Sequence, residues 1–188
     1  MHRRHFVLGA LGAFLADDVL AQVGRMRGAA LINGQPAKSG QAVRAGDTVA
    51  TGPASDLVFV TGRDAMLVRQ NSNFALAQDG FRLVSGAVLG VFAPRQRKSL
   101  HTQTATIGIR GTAVYVEAER TRTYVCTCYG ETVLEPVDDP GARETVRPKL
   151  RHEHPRYLLA RGAPRMVTPA PMLNHTEAEI ELLQKLLR

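Results

Sequence analysis

Apolar and polar positions along residues 24–90 come in short pieces rather than long periodic runs. Segments 29–32, 57–60, 65–68, 74–77, 81–84 and 87–92 are apolar or alternating. Between them stand turn residues: Asn33 with Gly34, Ser39 with Gly40, Gly46 with Asp47, Gly52 with Pro53, Gly62 to Asp64, Asp79 with Gly80, and Ser85 with Gly86. Strands of four to six residues with a turn every 8–12 predict an all-β fold of many short strands, a β-roll, solenoid or sandwich. Asn33 and Gly34 suit a two-residue hairpin turn, and Pro36 just after them points to an edge position. The longest alternating stretch lies further on. Val114, Val116 and Ala118 alternate with Ala113, Tyr115 and Glu117, and the alternation resumes from Thr123 to Tyr129, so a hairpin turning near Arg120 and Thr121 is expected. On its returning strand Tyr124, Cys126 and Cys128 share one face, Val125, Thr127 and Tyr129 the other, and Gly130 ends the run. A short C-terminal helix is marked by Thr176 with Glu179 three positions on, and by the stripe Ile180, Leu183 and Leu187, which is expected to dock on the β region as a lid.

Two regions fall outside this pattern. Residues 1–21 carry a basic head (Arg3, Arg4) and the apolar run 6–16, with Val19 and Ala21 placed for a cut after Ala21. This describes an export signal, of the ordinary secretory or the twin-arginine kind. The run is shorter than the roughly 20 residues that span a bilayer, and no cysteine follows it for a lipid anchor, so a soluble periplasmic protein without a membrane span is expected after cleavage. Residues 22–135 then form the all-β domain. Residues 136–188 form an extension with a His-Glu-His segment at 152–154, prolines at 164, 169 and 171, and the helix. The formal charge of +7 survives loss of the leader, which removes two Arg and two Asp. For an exported chain this argues against nucleic acid and toward an anionic envelope polymer or an envelope protein as partner, with a solvated basic surface as the plainer alternative.

Residues 43–52, VRAGDTVATG, resemble the opening motif of FecR-type domains. Asn71 to Leu76, the turn at Ser85 and Gly86, and residues 105–112, ATIGIRGT, are similar to later signatures of that domain. The resemblance covers about residues 24–134. It implies an all-β periplasmic module, known from regulators that relay iron-siderophore signals from outer-membrane receptors to sigma factors. An anti-sigma region, a spanning helix and a receptor-contact domain are not evident in the sequence, so the module is expected without that signalling role.

The chemistry centres on the only two cysteines. Cys126 and Cys128 face alike and would close a very small loop, which suits an ordinary structural disulfide poorly. Three fates are open to them. In the first, Cys126 and Cys128 join His152 and His154, read as a strand pair facing one way, in a tetrahedral site for zinc or copper, with His175 as a fifth candidate or a replacement. In the second, the Cys-Thr-Cys unit cycles between a dithiol and a strained disulfide in redox work. In the third, the cysteines are small core residues and the histidines lie at the surface. Arg110, between Gly108 and Gly111, is a candidate anion ligand, or else the partner in a salt bridge. Ser99 with His101, and Glu117 with Glu119, do not amount to a catalytic constellation. The expected function is therefore a binding or interaction module rather than an enzyme, with a metal-free scaffold and a thiol-disulfide protein as the alternatives.

Overall fold

The computed structural model describes residues 19–77, 80–94 and 97–187. The basic head and apolar run of the expected leader lie outside the described residues. The described chain opens directly on a strand, β1 (Val19–Arg27), which includes Ala21, buried in the core. A cut after Ala21 would therefore shorten β1 by three residues.

Short strands follow: β2 (Ala30–Ile32), β3 (Gln35–Pro36), β4 (Ala42–Arg44), β5 (Thr48–Thr51), β6 (Asp56–Thr61), β7 (Asp64–Val68) and β8 (Asn73–Ala77). Asn33 and Gly34 make the tight β2–β3 turn, and Pro36 lies on β3, which among the described residues pairs only with β2. The middle of the chain is built of longer strands, β9 (Gly80–Val91), β11 (Ala105–Ala118) and β12 (Arg122–Pro136), with the shorter β10 (Arg97–His101) among them. A 3₁₀ turn at Pro140–Ala142 leads to β13 (Glu144–Val146), β14 (Arg156–Leu159), β15 (Val167–Pro169) and the helix α1 (Glu177–Lys185). Among the described residues these fifteen strands form one open mixed sheet. Its main path runs β15-β14-β12-β11-β10-β9-β7-β6-β1-β4, with β9–β10 the parallel pair.

The long strands serve two parts of the sheet each, because they bend instead of stopping. The Gly130 expected to end a strand lies inside β12. The first half of β11 pairs with β10 and the second half with β9, while β12 follows β11 throughout. At the bend Gly111 and Gly130 both have positive φ (56° and 82°), a conformation glycine adopts without steric cost. The two backbones also touch: a Cβ on Gly130 would sit 2.4 Å from the Gly111 carbonyl oxygen. The buried Thr112 hydroxyl donates to the Tyr129 carbonyl at the same place.

Alternation along the central strands makes two apolar layers. Leu57, Phe59, Met66, Val68, Val88, Val114, Val116 and Val125 face the larger core, where Phe59, Phe74, Phe81 and Phe92 stand in a chain of ring contacts. Val58, Leu67, Leu89, Val91, Tyr115, Tyr124, Cys126 and Cys128 face the opposite way. That second face is covered by the C-terminal segment. Ile180 and Leu183 of α1 are fully buried against it, as the lid reading expected. The Glu179 carboxylate accepts from the Thr176 backbone N–H at the helix start (2.9 Å) and pairs with Arg69 of the sheet (2.7 Å).

Replacing Gly130 with Ala combines backbone strain with overlap against the Gly111 carbonyl. The expected loss is about 3 kcal/mol, read as a lower denaturation midpoint at unchanged slope.

Candidate metal centre

The site begins with a fault in the β11–β12 ladder. Ala113 pairs with Tyr129 and Val114 with Thr127, so Cys128 is an extra residue without a partner across the strand. Such a β-bulge turns neighbouring side chains to one side and takes backbone groups out of the ladder. Tyr129 accordingly packs on the second face beside Cys128, rather than opposite it as simple alternation predicts. The freed Cys128 carbonyl accepts from the His152 backbone N–H (3.2 Å), which fixes a turn of the extension against β12. Within that turn the exposed Glu153 carboxylate accepts from the Lys149 and Leu150 N–H groups (2.8 and 3.2 Å). The bonds from Leu150 and Lys149 hold its pKa below the ordinary carboxylate value.

Two imidazoles reach the cysteines from different segments. His152 has φ 61°, a left-handed position within the turn. His175 lies just before the helix cap, buried, with its ring stacked on Tyr115 at 4.5 Å between centroids. His152 Nδ1 is 3.8 Å from Cys126 Sγ, His175 Nε2 is 3.4 Å from Cys128 Sγ, and the two nitrogens are 3.0 Å apart. All four donor atoms lie within 4.8 Å of one another. A tetrahedral zinc site with ordinary bond lengths has edges of about 3.3 Å between nitrogens, about 3.6 Å between nitrogen and sulfur, and about 3.8 Å between sulfurs. The cluster is close to that size.

The outer nitrogens settle which lone pairs point inward. His175 Nδ1 donates to the Leu173 carbonyl (2.5 Å), which leaves Nε2 as the basic nitrogen. His152 Nε2 donates to a Glu177 carboxylate oxygen (3.2 Å), which leaves Nδ1 free to face the sulfurs. Glu177 is held in turn by Arg151. A carboxylate or carbonyl behind each imidazole is the support that metal-binding histidines use. Two nitrogen lone pairs 3.0 Å apart repel unless a proton or a cation stands between them.

The thiols are unequal. Cys126 is lowered from the ordinary 9.0 to about 5 by the hydrogen bond from Cys128, with those of His175 and His152 adding to it against the opposing effect of burial. Cys128 is pushed well above the ordinary thiol range by the same bond to Cys126 and by its own burial. The two shifts favour ionising Cys126 before Cys128, and a dication in the site would supply the charge needed to hold both sulfurs as thiolates.

Of the five expected ligands, Cys126, Cys128, His152 and His175 come together, the last in the replacement role. His154 does not. The strand expected to carry both His152 and His154 is a turn in which each has positive φ, and His154 points outward beside the Glu153 carboxylate (3.6 Å). Arg110 is exposed on β11, opposite Glu131, and belongs to a different surface. Sequence reasoning missed Glu177. Its only signal was its place two residues after His175, where an acidic side chain is also expected simply as a first-turn helix residue.

Motifs quoted above for the FecR resemblance do structural work here. Asp47 accepts from the Arg44 N–H and from the Asn33 side-chain amide (both 2.7 Å), and Gly111 and Thr112 build the β11 bend. No family model matches the sequence, and neither does any curated protein. Two crystal structures of candidate anti-sigma factors from Parabacteroides distasonis are similar to it. One, at 1.65 Å resolution, has a TM-score of 0.52 and 10% identity, over 65% of this chain and 58% of that one. The other, at 2.50 Å, has a TM-score of 0.40 and 12% identity, over 64% and 53%. At such identity the first likeness is one of fold alone, and this chain spans little more than half the length of either.

In the metal-free chain the Cys126 thiolate favours folding. Its contribution is full above the ordinary thiol value of 9.0 and is lost as pH falls toward about 5, while Cys128 acts against folding above 9.0. Ultraviolet thiolate absorbance should show one thiolate per folded chain at about pH 7. Cys126→Ser should abolish that absorbance and flatten the rise in stability between pH 5 and 9.

Proposed function

We propose that this chain is a FecR-like, periplasmic binding module rather than an enzyme, in which Cys126, Cys128, His152 and His175 hold one Zn²⁺ or Cu⁺ ion. The observation that carries the reading is the convergence of four donor atoms within 4.8 Å, each imidazole oriented from behind by an acceptor. Thiolate with imidazole suits both ions, and four protein donors complete a tetrahedral shell without a place for water or substrate. The ion's role is therefore structural or sensory. It ties β12 to the turn at 150–154 and to the start of α1, and so keeps the extension closed over the second face. The fold shared with a candidate anti-sigma factor agrees with the FecR reading, and an envelope protein or anionic polymer remains the partner class. Thiol–disulfide exchange is the weaker alternative, because both sulfurs are fully buried and exchange needs an accessible sulfur.

Elemental analysis of the purified native chain tests the proposal, with about one equivalent of metal per chain expected. Cys126→Ser, Cys128→Ser and His175→Ala should each lose it, while His154→Ala keeps it. Glu177→Gln should weaken affinity by about 10- to 100-fold through loss of the support behind His152. A native chain that carries no metal and takes up neither ion saturably would overturn the reading.

Chelation should loosen the extension before the rest. Hydrogen exchange and protease cleavage are expected to rise first within residues 150–187, with β6, β7 and β9 still protected.

A further inference from the structure

A second site lies on the β10–β11–β12 surface, built from different residues. Arg97 of β10 and Arg110 of β11 are direct cross-strand partners, so their guanidinium groups leave the same face side by side. Like charges placed opposite one another on neighbouring strands destabilise a sheet. Among the described residues neither has a carboxylate within ion-pair distance. Glu131, next in the row after Arg110, is taken by Arg147 (2.5 Å), and Lys98 is taken by Asp64 (3.0 Å). Glu135 pairs with Thr106, four positions along β11 from Arg110, or roughly 13 Å at strand spacing, and makes no ion pair with Arg110 although both line the same hollow.

Around this pair the surface is hollow. A cavity of about 330 Å³ is lined by four cations, Arg97, Lys98, Arg110 and Arg143, and two carboxylates, Glu131 and Glu135, with Gly108 and Val133 among its apolar part. Its size is at the low end for small-ligand sites. Gly108 has no side chain to fill the space between Arg110 and Thr106, and Arg143 enters from the segment after the 3₁₀ turn. Three arginines thus line one hollow whose cations outnumber its two carboxylates, and guanidinium geometry matches the paired oxygens of phosphate and carboxylate groups.

We propose that this hollow binds an oxyanion, a phosphate or carboxylate group of a small ligand, seated between Arg97 and Arg110 with Arg143 alongside. The bound anion offsets the cross-strand repulsion that the two arginines otherwise cost.

Full-length protein titrated at low salt with inorganic phosphate and, separately, citrate tests this by calorimetry and amide shifts. Saturable binding of at least one is expected, with shifts confined to β10, β11 and the neighbouring half of β12. Binding of phosphate alone or of citrate alone identifies the group. Arg97→Gln and Arg110→Gln should each weaken binding at least about fivefold, and Arg120→Gln, in the distant β11–β12 loop, should not. Without anion, the first two variants should melt higher than the parent chain, and phosphate or citrate should raise only the parent's midpoint. No saturable binding of either anion, or equal binding by parent and Arg97→Gln, overturns the proposal.

Discussion

One extra residue in the β11–β12 ladder sets the position of nearly everything on the second face. Because Cys128 has no partner across the strand, its carbonyl is free to hold the backbone of His152, and Tyr129 turns to the face that Cys126 and Cys128 already share. A regular ladder would keep that carbonyl within the strand pair and leave the turn at 150–154 without its anchor. The bulge in turn depends on the bend just beyond it, where Gly111 and Gly130 pass at a distance that no Cβ would allow. Fold and candidate site therefore share one piece of backbone geometry.

The second face also shows what it costs to bury donors. Tyr115, Tyr124, Cys126, Cys128 and His175 are all nearly or fully removed from water. Buried polar groups need partners. The phenols have them: Tyr115 donates to Glu117 (2.7 Å), and Tyr124 accepts from the Leu173 N–H (3.0 Å). The two sulfurs and two inward nitrogens have mainly one another. Four ligand atoms facing a common point are poorly served by hydrogen bonds among themselves, whereas a cation can serve all of them at once. Burial, so often a sign of inert cysteines, here leaves two thiols and two imidazoles facing one another away from water.

Much of this was legible in the amino-acid order. Alternation located β2, β6, β7 and β8 and put Cys126 and Cys128 on one face, and the Thr176 to Glu179 spacing marked the helix start. Three features were not legible. Glycine was read as a stop at Gly86, which lies inside β9, and at Gly130, inside β12, whereas between paired strands it let the chain bend and continue. The segment holding His152 and His154 was read as extended, but the left-handed backbone at both residues depends on the Glu153 carboxylate closing the turn and on the carbonyl of Cys128, a long-range contact. Simple period-two reasoning also misplaced Tyr129, because a bulge leaves no mark in the pattern of apolar residues. The choice of His175 over His154 turned on the same point, since it needed the helix to be docked before its neighbour could reach the sulfurs.

The donors' spread along the chain has a consequence for biosynthesis. Cys128 and His175 are 47 positions apart. As the polypeptide leaves the ribosome, both thiols and their tyrosine neighbours emerge well before the imidazole that completes the set. Until that imidazole and the terminal helix dock, the sulfur-bearing flank of the sheet lacks the cover that Ile180 and Leu183 give it. Only emergence of the terminal helix ends that window.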